Sequence, residues 1–513
     1  MNSDMDSYKT LLRGAGLLFI GIFASKILNY IFRFIVARSF TPSEYGLFAL
    51  GTAIIGLFMA IALLGLPSGV SRYISEYRTR KEYDKLRGTI TFSLKLVTIS
   101  SIIITICLYL SSNYIESFFM KDGLSQVIKI LCIGMPFYII FTLVINMFYG
   151  FQKSEYVTIS GYLSENILKV TIILILVFIG FNGTALPMTW TMTAIIVFLI
   201  ALYFLQVKTF PFIGIKEKFI EPRKELLVFS LPLIFVSTMW IILQWTDTIM
   251  LGYFMTSKDV AIYEMVLSAG KIVLMFATMF SVVFMPLITS LYTNNKTKEI
   301  EAIYKSTTKW ITVVSLPICI YFLIFPKMTI QLLFGSQYLE GASVLIILSI
   351  GYLIHAIMFL GGSFLAALKY SRLQMIIVII TGMLNILLNY YLIPIYGIIG
   401  SAIATSISFI LWKTTETILA YKITKIHPLS IDLLKAFIAA AILSVLVKYL
   451  IAPFVNNLYS YAIFSLIFFG SYILFTILIK CFDKNDAESI ELILKKSPLK
   501  IPYIDILLNW IRK

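Results

Sequence analysis

The sequence predicts an all-α polytopic membrane protein of about fourteen transmembrane helices, built as two pseudo-symmetric six-helix bundles plus two C-terminal helices. Three observations predict it. Apolar runs long enough to cross a bilayer recur along the whole chain, basic residues crowd alternate connections, and the second half echoes the first. Hydrophobic residues make up 59% of the 513 and charged residues 13%, and the mean hydropathy of +0.92 excludes a soluble globular protein.

A hydrocarbon core of about 30 Å needs about 20 apolar residues per helix. The expected spans are Gly14 to Ala37, Tyr45 to Val70, Gly88 to Leu110, Leu124 to Gly150, Tyr156 to Ile179, Thr184 to Gln206 and Leu226 to Met250. They continue with Val260 to Ser290, Trp310 to Leu333, Ala342 to Leu368, Leu373 to Ile393, Gly397 to Tyr421, Leu433 to Ala452 and Tyr461 to Lys480. The polar stretch Met1 to Thr10 precedes the first run and no cleavage site follows it, so that run is expected to be a retained helix rather than a signal peptide.

Charge placement tests the count. One set of loops holds Arg72, Arg78, Arg80, Lys81, Lys85 and Arg87, then Lys153, Lys216, Lys218, Arg223, Lys224, Lys296, Lys298, Lys369, Arg372, Lys422 and Lys425. The alternate set holds only Arg38, Lys121, Lys258 and Lys327. Under the positive-inside rule this puts both termini in the cytoplasm of a multi-pass protein of the plasma membrane. It also accounts for the net charge of +16 without nucleic acid. The segment from Ala487 to Lys513 mixes apolar residues with lysines, as either a helix on the inner leaflet or a frayed basic tail would.

The halves align at an offset of roughly 215 residues, a separation typical of duplicated transporters. Phe40 to Gly46 falls beside Met255 to Ala261, each a turn with a helix-capping pattern. Leu66-Pro67 and Met285-Pro286 mark span ends, Glu165-Asn166-Ile167-Leu168 falls near Leu384-Asn385-Ile386-Leu387, and Gly183-Thr184-Ala185 near Gly400-Ser401-Ala402. Six spans separate equivalents, so the repeats are parallel and the expected site is the cleft between them. The expected organisation is a bundle over 1–206, a linker over 207–225, a bundle over 226–425, two further helices over 426–482 and a basic amphipathic tail over 483–513.

Several chemistries lack their residues. The four cysteines, Cys107, Cys132, Cys319 and Cys481, have no paired spacing, and His355 and His427 are the only histidines. No phosphate-binding glycine loop or dinucleotide fingerprint is present, so neither a cofactor nor ATP-driven transport is expected. No loop is long enough to hold a catalytic domain.

The stretch from Ser25-Lys26 through Ala37-Arg38, Pro42-Ser43-Glu44-Tyr45-Gly46, Gly65-Leu66-Pro67 and Arg72-Tyr73-Ile74-Ser75 resembles the polysaccharide-flippase branch of the multidrug/oligosaccharidyl-lipid/polysaccharide exporter superfamily. In the second half Asp247, Tyr263 and Pro286 occupy similar places. The resemblance implies a V-shaped pair of bundles alternating access to a cavity lined by the first, second, seventh and eighth helices. It also implies a polyprenyl-linked oligosaccharide as cargo, with its lipid tail in the bilayer.

Ionisable residues at membrane depth cost about 2.5–3.5 kcal/mol on insertion scales and usually face a cavity or a partner. Lys26, Asn29, Tyr30 and Arg33 share one face of the first helix, and Trp240, Gln244 and Asp247 share one face of the seventh. Glu264, Ser268 and Lys271 do the same on the eighth. Lys26 and Lys271 are candidate anion-binding residues for a phosphate or pyrophosphate, with Asn29, Tyr30, Arg33, Trp240 and Gln244 as further cavity residues. Snorkelling or a structural pair is the alternative for Lys26. Arg33 with Asp247 or Glu264 is a candidate outer gate, or else a static ion pair. Glu165 and Lys169, spaced i, i+4, can neutralise one another. Lys95, Lys129, Lys413 and Lys435 lie near enough to helix ends to snorkel, and Pro136, Pro187, Pro232 and Pro317 supply either transport bends or ordinary kinks.

The rival readings are a cation-coupled multidrug exporter, which prefers an acidic cavity, and a membrane glycosyltransferase or polymerase, which needs a larger outer loop or an acidic cluster. The coupling ion stays open: the membrane potential helps an anion leave, at about 2.3 kcal/mol per charge per 100 mV, but resetting the carrier is a separate step. The charge bias makes a direct prediction for topology. In a cysteine-free background, a membrane-impermeant maleimide added to intact cells should label Asp122→Cys and leave Lys81→Cys unlabelled until the membrane is opened; the reverse pattern would invert the assignment.

Overall fold

The structure is a computed structural model describing residues 2–212, 219–447, 449, 458–479, 481, 482 and 486; within the helices, the side chains of residues 2–20, 235–240, 282, 283, 286, 458, 459 and 462 lie outside the description. In chain order the helices are α1 (Asn2–Ser39), α2 (Pro42–Ala62), α3 (Leu66–Arg80), α4 (Tyr83–Phe119), α5 (Leu124–Gly150), α6 (Ser154–Tyr156), α7 (Glu165–Ile179), α8 (Ala185–Tyr203) and α9 (Arg223–Phe254). They continue as α10 (Ser257–Thr293), α11 (Thr297–Ile324), α12 (Pro326–Leu333), α13 (Ala342–Ile357), α14 (Leu360–Ala367), α15 (Ser371–Tyr396), α16 (Ile398–Thr424), α17 (Ile431–Leu446) and α18 (Leu458–Leu478). No strand occurs among the described residues. The described residues contain ten spans long and apolar enough to cross a membrane, and α1, α9, α17 and α18 overlap the other four expected spans.

Local chemistry explains the boundaries. Thr41 caps α2 reciprocally: its amide donates to Glu44 at 2.8 Å, and the Glu44 amide donates back to the Thr41 hydroxyl at 3.3 Å. Thr256 and Asp259 repeat the device at α10, with distances of 3.0 and 3.3 Å. The capping pattern that aligned the two halves is therefore a shared structure.

Four spans differ from expectation, among them Trp310 to Leu333, which divides at Phe325 into α11 and α12. Tyr45 to Val70 is not one helix, because Leu64 and Gly65 take left-handed φ values of 52° and 66° and Pro67 then starts α3 on a new axis. Met285-Pro286 ends nothing, since α10 runs on to Thr293; a membrane helix tolerates the one main-chain hydrogen bond that a proline removes. Ala342 to Leu368 divides into α13 and α14. Between α6 and α7, Val157–Ser164 is wound as a π-helix, keeping Ser154–Ile179 a single span. The expected amphipathic tail from Ala487 to Lys513 lies outside the described residues.

The chain forms two compact units. The first comprises Met1–Met265, Leu333–Gly341 and Val378–Thr405. Here α5 packs on α2, α3, α4 and α8, α1 packs on α7, and α2 and α3 lie against α9. In lipid, helices associate through close van der Waals fit rather than hydrophobic expulsion, so residues without bulk sit where backbones approach. A Cβ on Gly46 would stand 1.7 Å from the Ser257 carbonyl oxygen, one on Gly65 2.3 Å from that of Ser230, and one on Gly88 1.9 Å from that of Ile220. The apolar side chains Ile102, Ile103, Ile106 and Leu110 on α4 are exposed, as a lipid-facing surface requires.

The second unit comprises Val266–Leu332, Ala342–Ile377 and Ser406–Lys513. Phe284, Tyr304 and Phe364 pack in its core in tilted and edge-on contacts. Its buried charges are partnered: Lys309 pairs with Asp486, which also accepts from the Trp310 indole at 2.8 Å, and Lys413 pairs with Glu416 at 2.7 Å. Lys413 is thus a buried partner rather than a snorkelling end residue.

The close approach at Gly46 is a sensitive point. Gly46→Ala forces α2 away from the Ser257 main chain and should cost about 1–3 kcal/mol, read as a thermal midpoint several degrees lower in detergent. Gly470→Ala, which meets nothing within 4 Å, should leave the midpoint unchanged; equal effects would deny a special role to the contact.

Candidate functional site

Gly252 of α9 sits against Leu50 of α2, and Gly65, just past the end of α2, sits against Ser230. Between them the first unit holds a partly open cavity of about 490 Å³ bordered by α1, α2, α5, α7, α8, α9 and α10. The α2 residues Thr52, Gly56 and Met59 form one side and Ile241 and Trp245 of α9 another. The volume falls in the range of a small-molecule site.

Arg33 enters from α1. Its guanidinium donates to the Tyr45 hydroxyl at 2.7 Å, to the Glu264 main-chain carbonyl at 3.3 Å and to Asn29 Oδ1 at 3.3 Å. Asn29 is one helical turn earlier, which makes that contact local. Glu264 is buried and its carboxylate accepts the Thr248 hydroxyl. On the other wall, Lys169 pairs with Glu165 at 2.6 Å, and Glu165 also accepts from the Tyr138 hydroxyl at 3.1 Å. Lys169, Tyr138 and Trp190 all line the cavity. Two cations thus meet an interior otherwise furnished by hydroxyls, one amide, aromatic rings and apolar side chains, with Glu264 as the acid among the lining residues.

A second polar cluster lies beside this cavity in the same unit. Asp247 of α9 is buried and accepts from Tyr263 at 2.6 Å, from Asn389 Nδ2 at 2.9 Å and from Thr405. Asn385 donates to Thr405 at 3.4 Å, and Asn389 Oδ1 is buried with no hydrogen-bond partner among the described residues. One carboxylate surrounded by amide and hydroxyl oxygens is the donor chemistry of a small hard cation, or of a protonatable acid. No group of three His, Cys, Asp or Glu residues occurs among the described residues.

The expected site residues divide accordingly. Asn29 and Arg33 line the cavity, and Arg33 and Glu264 are brought together, through the Glu264 carbonyl. Asp247 belongs to the neighbouring cluster. Lys26 is exposed, Tyr30 and Gln244 are half-buried, and none of the three is among the lining residues. Lys271 is half-buried in the second unit, and the side chain of Trp240 lies outside the described residues. Sequence reasoning passed over Lys169, Tyr138, Trp190 and Trp245 in the cavity and Asn385, Asn389 and Thr405 in the cluster. The expected Glu165–Lys169 pair forms, but facing the cavity. The i, i+4 pair of asparagines in an apolar span was the available signal for the cluster.

Comparison with known proteins agrees with this architecture. The model of the family described as "Polysaccharide biosynthesis protein" matches residues 11–292, and the MatE model matches residues 232–391. An uncharacterized membrane protein of Methanocaldococcus jannaschii is 27% identical over 425 residues, covering 79% of this chain and 83% of that protein. The probable low-salt glycan biosynthesis flippase Agl15 of Haloferax volcanii is 25% identical over 77% of this chain and 78% of its own length. Lipid II flippase MurJ of Bacillus subtilis is 22% identical over 78% and 80%. Among solved structures, Lipid II flippase MurJ in an inward closed conformation superposes with a TM-score of 0.71 at 18% identity, covering 90% of this chain and 98% of that one. An inward-facing multidrug resistance MATE transporter superposes with a TM-score of 0.64 at 15% identity, covering 78% and 94%. With more than half of its length matched by that family's model, the chain belongs to the polysaccharide biosynthesis protein family of membrane proteins.

Proposed function

We propose that this protein is a flippase that moves a polyprenyl-(pyro)phosphate-linked oligosaccharide from the inner to the outer leaflet of the plasma membrane by alternating access, serving cell-surface polysaccharide or glycoprotein synthesis. Both termini are then cytoplasmic, and the two six-helix halves are the moving bodies. The observation that carries the reading is the pair of cations, Arg33 and Lys169, in one partly open cavity. A phosphate or pyrophosphate leaving water needs compensating positive charge, and charge-assisted hydrogen bonds to phosphate oxygens supply it. Lys169 is able to exchange its Glu165 contact for the cargo, and Arg33 its contacts with Tyr45 and Glu264. The Arg33–Glu264 contact fits an outer gate that opens when the cargo takes the guanidinium. Relatives named as flippases support the cargo class.

The reading extends to the energy source. The Asp247 cluster is suited to bind a monovalent cation or a proton, and its residues come from α9, α10, α15 and α16, so binding there would couple helices of the second half to the cavity beside them. A MATE-like drug exporter is the competing reading within the fold; two cations lining the cavity oppose a cationic drug.

The deciding measurement is movement of a fluorescent lipid-linked oligosaccharide across vesicles containing the purified protein, run beside uptake of a cationic dye. Flipping without dye uptake is expected. Arg33→Gln and Lys169→Gln should each slow flipping by about tenfold or more, since a charged hydrogen bond contributes about 1.5–3 kcal/mol. Lys26→Ala and Lys271→Ala should have smaller effects. Dye uptake without flipping would transfer the protein to the exporter reading. Separately, Asp247→Asn should abolish any dependence of the rate on a sodium or proton gradient while lipid-linked substrate still binds; an unchanged gradient dependence would remove the cluster from coupling.

A further inference from the structure

We propose that Trp190, Trp245 and Tyr138 form a saccharide-stacking subsite in this cavity, which takes the pyranose ring next to the carrier phosphate. The inference rests on the reading of the cavity as a site for a lipid-linked glycan and names the part of the cargo that its aromatic walls recognise.

Each ring is placed by a contact that leaves it facing the cavity. Trp190 lies against Tyr138 with centroids 5.4 Å apart and planes at 37°. The Tyr138 hydroxyl is fixed by its 3.1 Å hydrogen bond to Glu165. The indole of Trp245 sits where Gly56 has no side chain; a Cβ there would be 2.8 Å from Nε1. Both tryptophans are half-buried lining residues rather than core. The electron-rich face of an aromatic ring attracts the polarised C–H bonds on the apolar face of a pyranose.

The hydroxyls around the rings have matching polarity. Thr52, Thr142 and Thr189 donate to the carbonyls of Ala49, Tyr138 and Ala185 at 2.9, 2.9 and 2.8 Å. With their protons committed, their oxygens are left as acceptors, and the hydroxyls of a sugar are donors in search of such partners. Arg33 and Lys169 share the same space, so a ring on the aromatic wall keeps its attached phosphate within the cationic part of the cavity. At about 490 Å³ the cavity accommodates the carrier-proximal end of a glycan rather than a long chain.

The test uses the full chain in lipid nanodiscs and two probes, farnesyl diphosphate and farnesyl diphosphate bearing one N-acetylglucosamine. The sugar should tighten binding to the unaltered protein by about tenfold. Trp190→Leu and Trp245→Leu should each remove about fivefold of that gain and leave the Kd of the sugar-free probe unchanged. Trp190→Phe, which keeps an aromatic face, should retain most of it. Arg33→Gln should weaken both probes alike. Equal affinity for the two probes, or leucine variants that weaken both equally, would overturn the saccharide subsite while leaving the phosphate site standing. Binding of neither probe would remove the subsite and the lipid-linked reading together.

Discussion

The first unit depends on main-chain contact between α2–α3 and α9–α10, which only residues without a side chain permit. Gly46 against Ser257, and Gly65 and Gly69 against Ser230, hold the helices together toward the two ends of the contact. Between those ends Gly56 admits the Trp245 indole of α9, and Thr52, Ile55 and Met59 border the cavity beside it. The cavity is therefore a product of where bulk is absent as much as of which side chains line it. The left-handed turn at Leu64 and Gly65 belongs to the same constraint, since it lets α3 follow α9 after α2 has ended.

Charge inside this helical body follows one rule: the buried aspartates, glutamates and lysines described each have a partner on a neighbouring turn or helix. Asp247 is held by Tyr263, Asn389 and Thr405, Lys309 by Asp486, and Lys413 by Glu416. Arg33 and Lys169 differ in that their partnered heads also border open space. A charged group with local contacts at the edge of a cavity is able to trade those contacts for a ligand without being left alone in a low dielectric, which distinguishes a binding residue from a structural pair.

Much of the fold was legible because its signals are periodic or repeated. Run length marked the spans, and the Thr41–Glu44 and Thr256–Asp259 turns gave matching caps in the two halves. Of the cavity lining, the sequence pointed to Asn29 and Arg33 on α1 and Glu264 on α10, polar residues in otherwise apolar runs. Lys169 was discounted because its neighbour Glu165 explained it locally, and a local explanation does not exclude a cavity on the other side of the same head group. Lys26 shares the face of Arg33 by spacing, yet is exposed, because helix spacing fixes a face and not the depth at which a neighbouring helix departs. The i, i+4 asparagines of α15 mark a polar point in an apolar span, but assembling them with Asp247 and Thr405 required knowing that α15 meets α9 and α16, a tertiary fact.

The π-helical stretch Val157–Ser164 sets the direction in which everything after it on that span points. A wider turn of this kind is equivalent to one residue added to a regular helix, and one residue corresponds to about 100° of rotation. Glu165 and Lys169 follow directly after it, so their orientation is inherited from the irregularity upstream. In evolutionary terms, a single-codon insertion or deletion within residues 157–164 would swing the lysine round the helix while changing none of the cavity's own residues. Descendants of one ancestral chain could in that way acquire cavities of different charge through a change in length rather than in kind.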